Sequence, residues 1–171
     1  HELELIIDPK LIFSTYSGST ANNFGQTATY DDLGNGYMGG IADANGYNTT
    51  LGAFQRNYSG DWDIAISKFN PEGDSLLFST YLGGTKDETV HSMVVDNSQN
   101  LFILGATGSS NFPTTTITYD STLSLSAQIT TEISVTFAFG TDIIISKFNS
   151  NGTQLLGSTY FWVIVVDGIH L

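Results

Sequence analysis

Asp61 and Asp63, within "SGDWDIAIS", stand two residues apart in a segment that reads as a β-strand. Alternate residues of a strand share a face, so the pair would present two acids side by side. That is the equipment of glycoside hydrolysis, and the pair could also serve lyase chemistry. His1, His91 and His170 are too far apart to read as a metal triad. His91 opens a strand and reads as a surface or internally bonded histidine. "DANGYNTT" and "NSNGTQ" have the Asp, Asn and Gly of calcium loops but lack the spaced carboxylates and closing Glu. The chain contains no G-x-S-x-G elbow and no phosphate-binding or dinucleotide-binding glycine motif. It has no Cys, which excludes disulfides, thiolate metal sites and cysteine nucleophiles. Asn48, Asn57 and Asn151 begin glycosylation sequons, which an Asn/Ser/Thr-rich chain forms by chance. No catalytic residue, metal ligand or cofactor is therefore assigned, and any binding residues remain unidentified.

Asp63 is also written twice. "DIAISKFNPEGDSLLFSTY" (Asp63 to Tyr81) returns as "DIIISKFNSNGTQLLGSTY" (Asp142 to Tyr160), identical at thirteen of nineteen positions with an offset of 79. An earlier echo, "LIFSTYSGST" (Leu11 to Thr20), matches "LLFSTYLGGT" (Leu76 to Thr85) at an offset of 65. A residue present in both copies most simply serves the fold. On that reading Asp63/Asp142, Lys68/Lys147 and Tyr81/Tyr160 are structural, and Asp63 is a weak candidate for catalysis.

The elements that would position these residues are strands. "HSMVVD", "LFILGAT", "DIIISKFN" and "QLLGSTY" are short β-branched and aromatic runs separated by turn residues. No window has helical spacing of apolar residues, so the chain reads as all-β with four antiparallel strands per unit. Ile64 and Ile66 lie opposite Ala65 and Phe69, and Ile143 and Ile145 lie opposite Ile144 and Phe148. Both faces are apolar, so both call for cover, as in stacked four-stranded blades.

"LLFSTYLGGTKDE", "VVDNSQNLFILGATGSSNFPTT" and "DIIISKFNSNGTQLLGSTY" resemble the bacterial seven-bladed β-propeller (SBBP) repeat. The resemblance runs from about Leu11 to Tyr160. In the first unit "GYNTT" replaces "NFPTT", and Gly36 and Gly39 are expected to loosen a strand. The resemblance implies a partial β-propeller and a secreted or surface-exposed bacterial protein. It implies no common catalytic residue.

The organisation that follows begins with the end of a preceding module or a linker at 1–10. An outer strand of a preceding blade and a crossover occupy 11–25, with that strand at Leu11–Tyr16. Blade 1 spans 26–81, and blade 2 spans 82–160 with a 14-residue insertion near 121–139. Within the insertion Ile133, Val135, Phe137 and Phe139 alternate with Ser134, Thr136 and Ala138, the pattern of a half-buried strand. Residues 161–171 read as a divergent start of a further blade, and "FWVIVV" as an aggregation-prone strand. The chain starts at His1 with neither Met nor a basic-then-apolar leader, and is expected to be a piece of a longer protein.

Seventeen acidic against five basic residues give a net charge of −12, which disfavours nucleic acid and anionic membranes as partners. No apolar run approaches the roughly 18–20 residues of a membrane-spanning helix. The expected role is a non-enzymatic scaffold or adhesion module at the cell surface, with a surface glycan or protein as partner. The alternative is a propeller enzyme acting on polysaccharide through Asp61 and Asp63. Uncovered apolar faces at each end are expected to make the chain self-associate.

Overall fold

The structure is a computed structural model and describes residues 11, 13–124, 129–130, 135–137 and 140–161. In chain order the strands are β1 (Asn23–Tyr30), β2 (Gly36–Ala42), β3 (Asp63–Phe69), β4 (Leu76–Leu82) and β5 (Glu88–Val95). They continue with β6 (Leu101–Thr107), β7 (Ile129–Thr130), β8 (Thr136–Phe137), β9 (Asp142–Phe148) and β10 (Leu155–Phe161). Two four-stranded antiparallel sheets result, ordered β1-β2-β3-β4 and β10-β9-β6-β5, with β7 and β8 as a separate pair. No helix occurs among the described residues, and none there is long and apolar enough to cross a membrane.

The internal repeat is visible as repeated local structure. The β3–β4 hairpin closes with Asn70 N–H to Ser75 O and Gly73 N–H to Asn70 O. The β9–β10 hairpin closes with Asn149 N–H to Gln154 O and Gly152 N–H to Asn149 O. Gly73 (φ 71°) and Gly152 (φ 67°) supply the left-handed residue that each turn requires. The first strand of each sheet also carries a bulge, between Gly25 and Thr27 in β1 and between Val90 and Ser92 in β5. The bulged residues are Gln26 and His91, so His91 sits inside its strand at an exposed bulge rather than opening it. Gln26 Oε1 crosses to the second sheet and accepts the Val90 N–H (3.0 Å).

The sheets pack through opposite faces of the same motif. The first contributes Tyr37, Ile64, Ile66 and Phe78, and the second contributes Met93, Leu101, Ile103, Ile144 and Phe148. Burial of each such side chain is worth about 1.5–3 kcal/mol. Ile66 is fully covered, whereas Ile145, its counterpart at the 79-residue offset, is 42% exposed. Both residues lie on the same face of their own sheet, and the first sheet has a neighbour there.

Several sequence expectations need correction. Within the expected outer strand at Leu11–Tyr16, Leu11 and residues 13–16 are not in a strand: a strand needs a ladder partner, and none is present for them among the described residues. Phe13 still seats on the second-copy pattern. A methyl group at Gly73 would fall 2.1 Å from its ring, as one at Gly152 would fall 2.3 Å from the Phe78 ring. The first sheet begins at Asn23, three residues before the expected blade boundary. Gly36 and Gly39 do not loosen β2, which pairs continuously from Gly36 to Ala42 with β3. Gly39 makes room for the other sheet, since a methyl group there would lie 2.8 Å from Met93 Sδ. Residues 1–10 and 162–171, including His1, His170 and most of "FWVIVV", lie outside the described residues.

The repeated tyrosines each pin a loop. Tyr81 Oη accepts the Tyr47 N–H (3.0 Å) and donates to Ala44 O (2.9 Å). Tyr160 Oη accepts the Phe112 N–H (3.0 Å) and donates to Ser109 O (2.6 Å). Tyr160→Phe leaves the Phe112 N–H and Ser109 O only their long mutual bond (3.4 Å), so a loss of about 1–3 kcal/mol is expected in urea denaturation. An unchanged midpoint would mean that the loop is held by other contacts.

Candidate functional site

Two buried carboxyl groups meet where the sheets join. Asp63 opens β3 and Glu88 opens β5, and both are fully buried. A methyl group at Gly83 would lie 2.4 Å from Asp63 Oδ1 and 2.6 Å from Glu88 Oε2, so both oxygens border the same small space. Asp63 Oδ2 accepts the Ser59 N–H (2.9 Å) and Gln55 Nε2–H (3.1 Å), while Oδ1 has no hydrogen-bond partner among the described residues. Glu88 Oε2 accepts the Gly84 N–H (2.9 Å), and Oε1 lies 2.5 Å from Thr107 Oγ1.

Loss of water around these acids favours their neutral forms. Burial pushes Glu88 up to about 8, with the Asp63 charge adding to the rise. Burial likewise takes Asp63 to about 6. Asp87 also reaches about 6, through burial and then the charge of Asp61. Asp61 itself is exposed and precedes β3, so it does not share a strand face with Asp63. A substrate touching Asp61 would not reach Asp63. The carboxylate pair expected from sequence is thus separated, and the structure assembles Asp63 with Glu88 instead.

Glu88 was missed because "TKDE" reads as a charged turn. The available signal was its alternation with Val90 on the buried side of "ETVHSMVV". In the second sheet Asp142 is buried, accepts the Ser124 N–H (2.6 Å), and is raised above the usual carboxylate range by burial. The loops that faintly resembled calcium sites have local duties. Asn149 Oδ1 accepts the Thr153 and Gln154 N–H groups of its own turn, and Asn45 Oδ1 accepts the Tyr58 N–H. No group of three or more metal-ligating side chains is found among the described residues.

The insertion lies across the seam. Val135 and Phe137 are buried with Ile41 and Trp62 from the first repeat and Ala106 from the second. The Phe137 ring lies over Gly108, where a methyl group would come within 2.9 Å.

Each outer face carries a cavity. On the first sheet a cavity of about 330 Å³ lies between residues 13–17 and Ala28, Met38 and Phe69. On the second, a shallower cavity of about 270 Å³ is lined by Phe102, Tyr119, Ile145, Lys147 and Gly157.

Residues 77–113 match the family model described as SBBP, a beta-propeller repeat. The match starts in β4 of one sheet and continues through β5 and β6 of the next to the Phe112 loop. The repeat in sequence is thus staggered against the sheet in space. No curated protein matches the chain.

Proposed function

From two four-stranded β-propeller blades carrying an SBBP repeat, we propose a non-enzymatic segment of a secreted or cell-surface bacterial protein, acting as scaffold or adhesion module. One observation supports the scaffold reading above all. The polar residues written in both copies are engaged within the fold. Asp31 and Asp96 bind Lys68 and Lys147, Tyr81 and Tyr160 pin loops, and Asp63 and Asp142 accept loop N–H groups. The rival, a polysaccharide hydrolase or lyase working through Asp61 and Asp63, requires substrate to reach a fully buried Asp63. Export is supported by the resemblance, and the absence of Cys fits export without an oxidative folding step.

The test pairs a glycan array with a reducing-sugar assay on the purified chain. Polysaccharides are expected to remain uncleaved. Sugar release that disappears in Asp61→Asn would overturn the scaffold reading. Fractionation of the producing cells is expected to place the protein in the medium or on the surface, and confinement to the cytoplasm would overturn export.

A further inference from the structure

The opposite ends of the molecule carry the two halves of the interface that joins its own blades. Inside, Tyr37, Ile64 and Ile66 of the first blade pack on Met93, Leu101, Ile103 and Phe148 of the second. The repeat offsets carry the first group to Phe102, Ile143 and Ile145, on the outer face of the second blade. Phe102 and Ile145 are 37% and 42% exposed there. The offsets carry the second group back to Ala28, Gly36, Met38 and Phe69, which line the cavity on the outer face of the first blade.

Several positions differ between the inner and outer settings, Leu101 against Gly36 and Phe78 against Gly157 among them, and two that touch across the seam differ in complementary ways. At the internal seam a glycine, Gly39, gives way to the large Met93, and a methyl group on Gly39 would collide with it. On the outer faces the Gly39 position is held by Leu104, which is 43% exposed, and the Met93 position by Ala28, which is also exposed. Large meets small in both cases, with the sides exchanged, and such volume-conserving swaps are the ones packed interfaces tolerate.

The slot on the first blade holds a placeholder. Residues 13–17 lie where a preceding blade's outer strand would run, with Phe13 on Gly73 as Phe78 is on Gly152. Their side-chain bonds among the described residues are few: Thr15 to the adjacent Tyr16 O, and Ser17 with Asn23 and the Ser19 N–H. The strand that would replace them, β10, has Gly157 at the Phe78 position, with open space around it, and so leaves the Gly73 hollow to the Phe13 ring.

We propose that the chain associates head to tail with a second copy of itself, Phe102, Leu104 and Ile145 of one copy seating on Ala28, Met38 and Phe69 of the next and displacing residues 14–17. The contact is heterologous, because each copy uses a different surface for its two neighbours. It therefore propagates into a ring or a filament instead of stopping at a two-fold dimer.

Sedimentation velocity on the full chain across a concentration series tests this with four proteins: wild type, Ala28→Met, Leu104→Gly and the double variant. The wild type is expected to form concentration-dependent oligomers. Overpacking by Ala28→Met, and the hole left by Leu104→Gly, should each weaken association about tenfold or more. The double variant, which reproduces the internal Gly–Met pairing with the sides restored, should recover most of the loss. Both positions are exposed, and circular dichroism melts would verify that each variant stays folded. A wild type that is monomeric throughout the series would overturn the proposal. So would Ala28→Met associating as well as or better than wild type, the signature of general stickiness, or a folded double variant no stronger than the singles.

Discussion

Glu88→Gln is expected to stabilise the protein at pH 9 by several kcal/mol and to change its stability little at pH 5. Glu88 is raised from an ordinary 4.5 to about 8 by burial, so between these values the folded chain keeps a proton that the unfolded chain releases. The unfolded state then binds fewer protons than the folded one, and stability falls as pH rises. The contribution is intact below about pH 4.5 and is lost by about pH 8. At about 1.4 kcal/mol per pH unit, the loss over that interval is roughly 5 kcal/mol. Asp63 adds to the same decline in its lower range, between 3.8 and about 6.

Gln reproduces the neutral acid. Its carbonyl can accept the Gly84 N–H, and its amide stands where Oε1 accepts the Thr107 hydroxyl, which can turn to accept from the amide instead. Urea titrations of both proteins at pH 5, 7 and 9 would measure the effect. If the wild type is as stable at pH 9 as at pH 5, or the variant declines in parallel with it, Glu88 is not the proton holder.

Asp31→Ala is expected to cost about 3–5 kcal/mol, because it leaves the Lys68 ammonium unpaired under a neighbouring sheet. Asp96→Ala, the same change one repeat later, is expected to cost much less. Asp31 lies 3.2 Å from Lys68 Nζ with side-chain exposures of 0% and 8%, while the Asp96–Lys147 pair, at 3.0 Å, is 30% exposed on each side. Both lysines also lie over an aromatic ring, Tyr37 in one repeat and Phe102 in the other. Chemistry and geometry are thus nearly constant, and cover is what varies. Added salt should screen the second pair and leave the first almost untouched. Parallel urea titrations of the two variants at low concentration decide it. Equal losses would mean that the Lys147 face is covered in solution too.

What was legible in the sequence was whatever the chain wrote twice. The four strands per unit, the hairpin glycines and the structural use of Asp63, Lys68 and Tyr81 all followed from recurrence and period-two alternation. What was not legible depended on a neighbour. Leu11–Tyr16 has the letters of an outer strand, but letters do not supply a ladder partner. Ile66 and Ile145 are the same residue in the same motif, and only packing separates a buried one from an exposed one. Asp61 looked like a strand-mate of Asp63 because the start of β3 is set by pairing with Ala42, two residues later. Glu88 looked solvated because acids are seldom buried, and its partners, Gly84 before β5 and Thr107 at the end of β6, are brought to it only by the fold.

The insertion across the seam has a mechanical consequence. The two blades already share one core face to face, and the insertion adds a second tie at the edge of the seam. Val135 and Phe137 rest on Ile41 and Trp62 from one repeat and on Ala106 from the other, so opening either blade strips cover from its neighbour. A pull along the chain is then shared across the seam, and the two repeats yield as one unit. Removing the added residues would make the repeats equal in length and leave the load to the shared core alone.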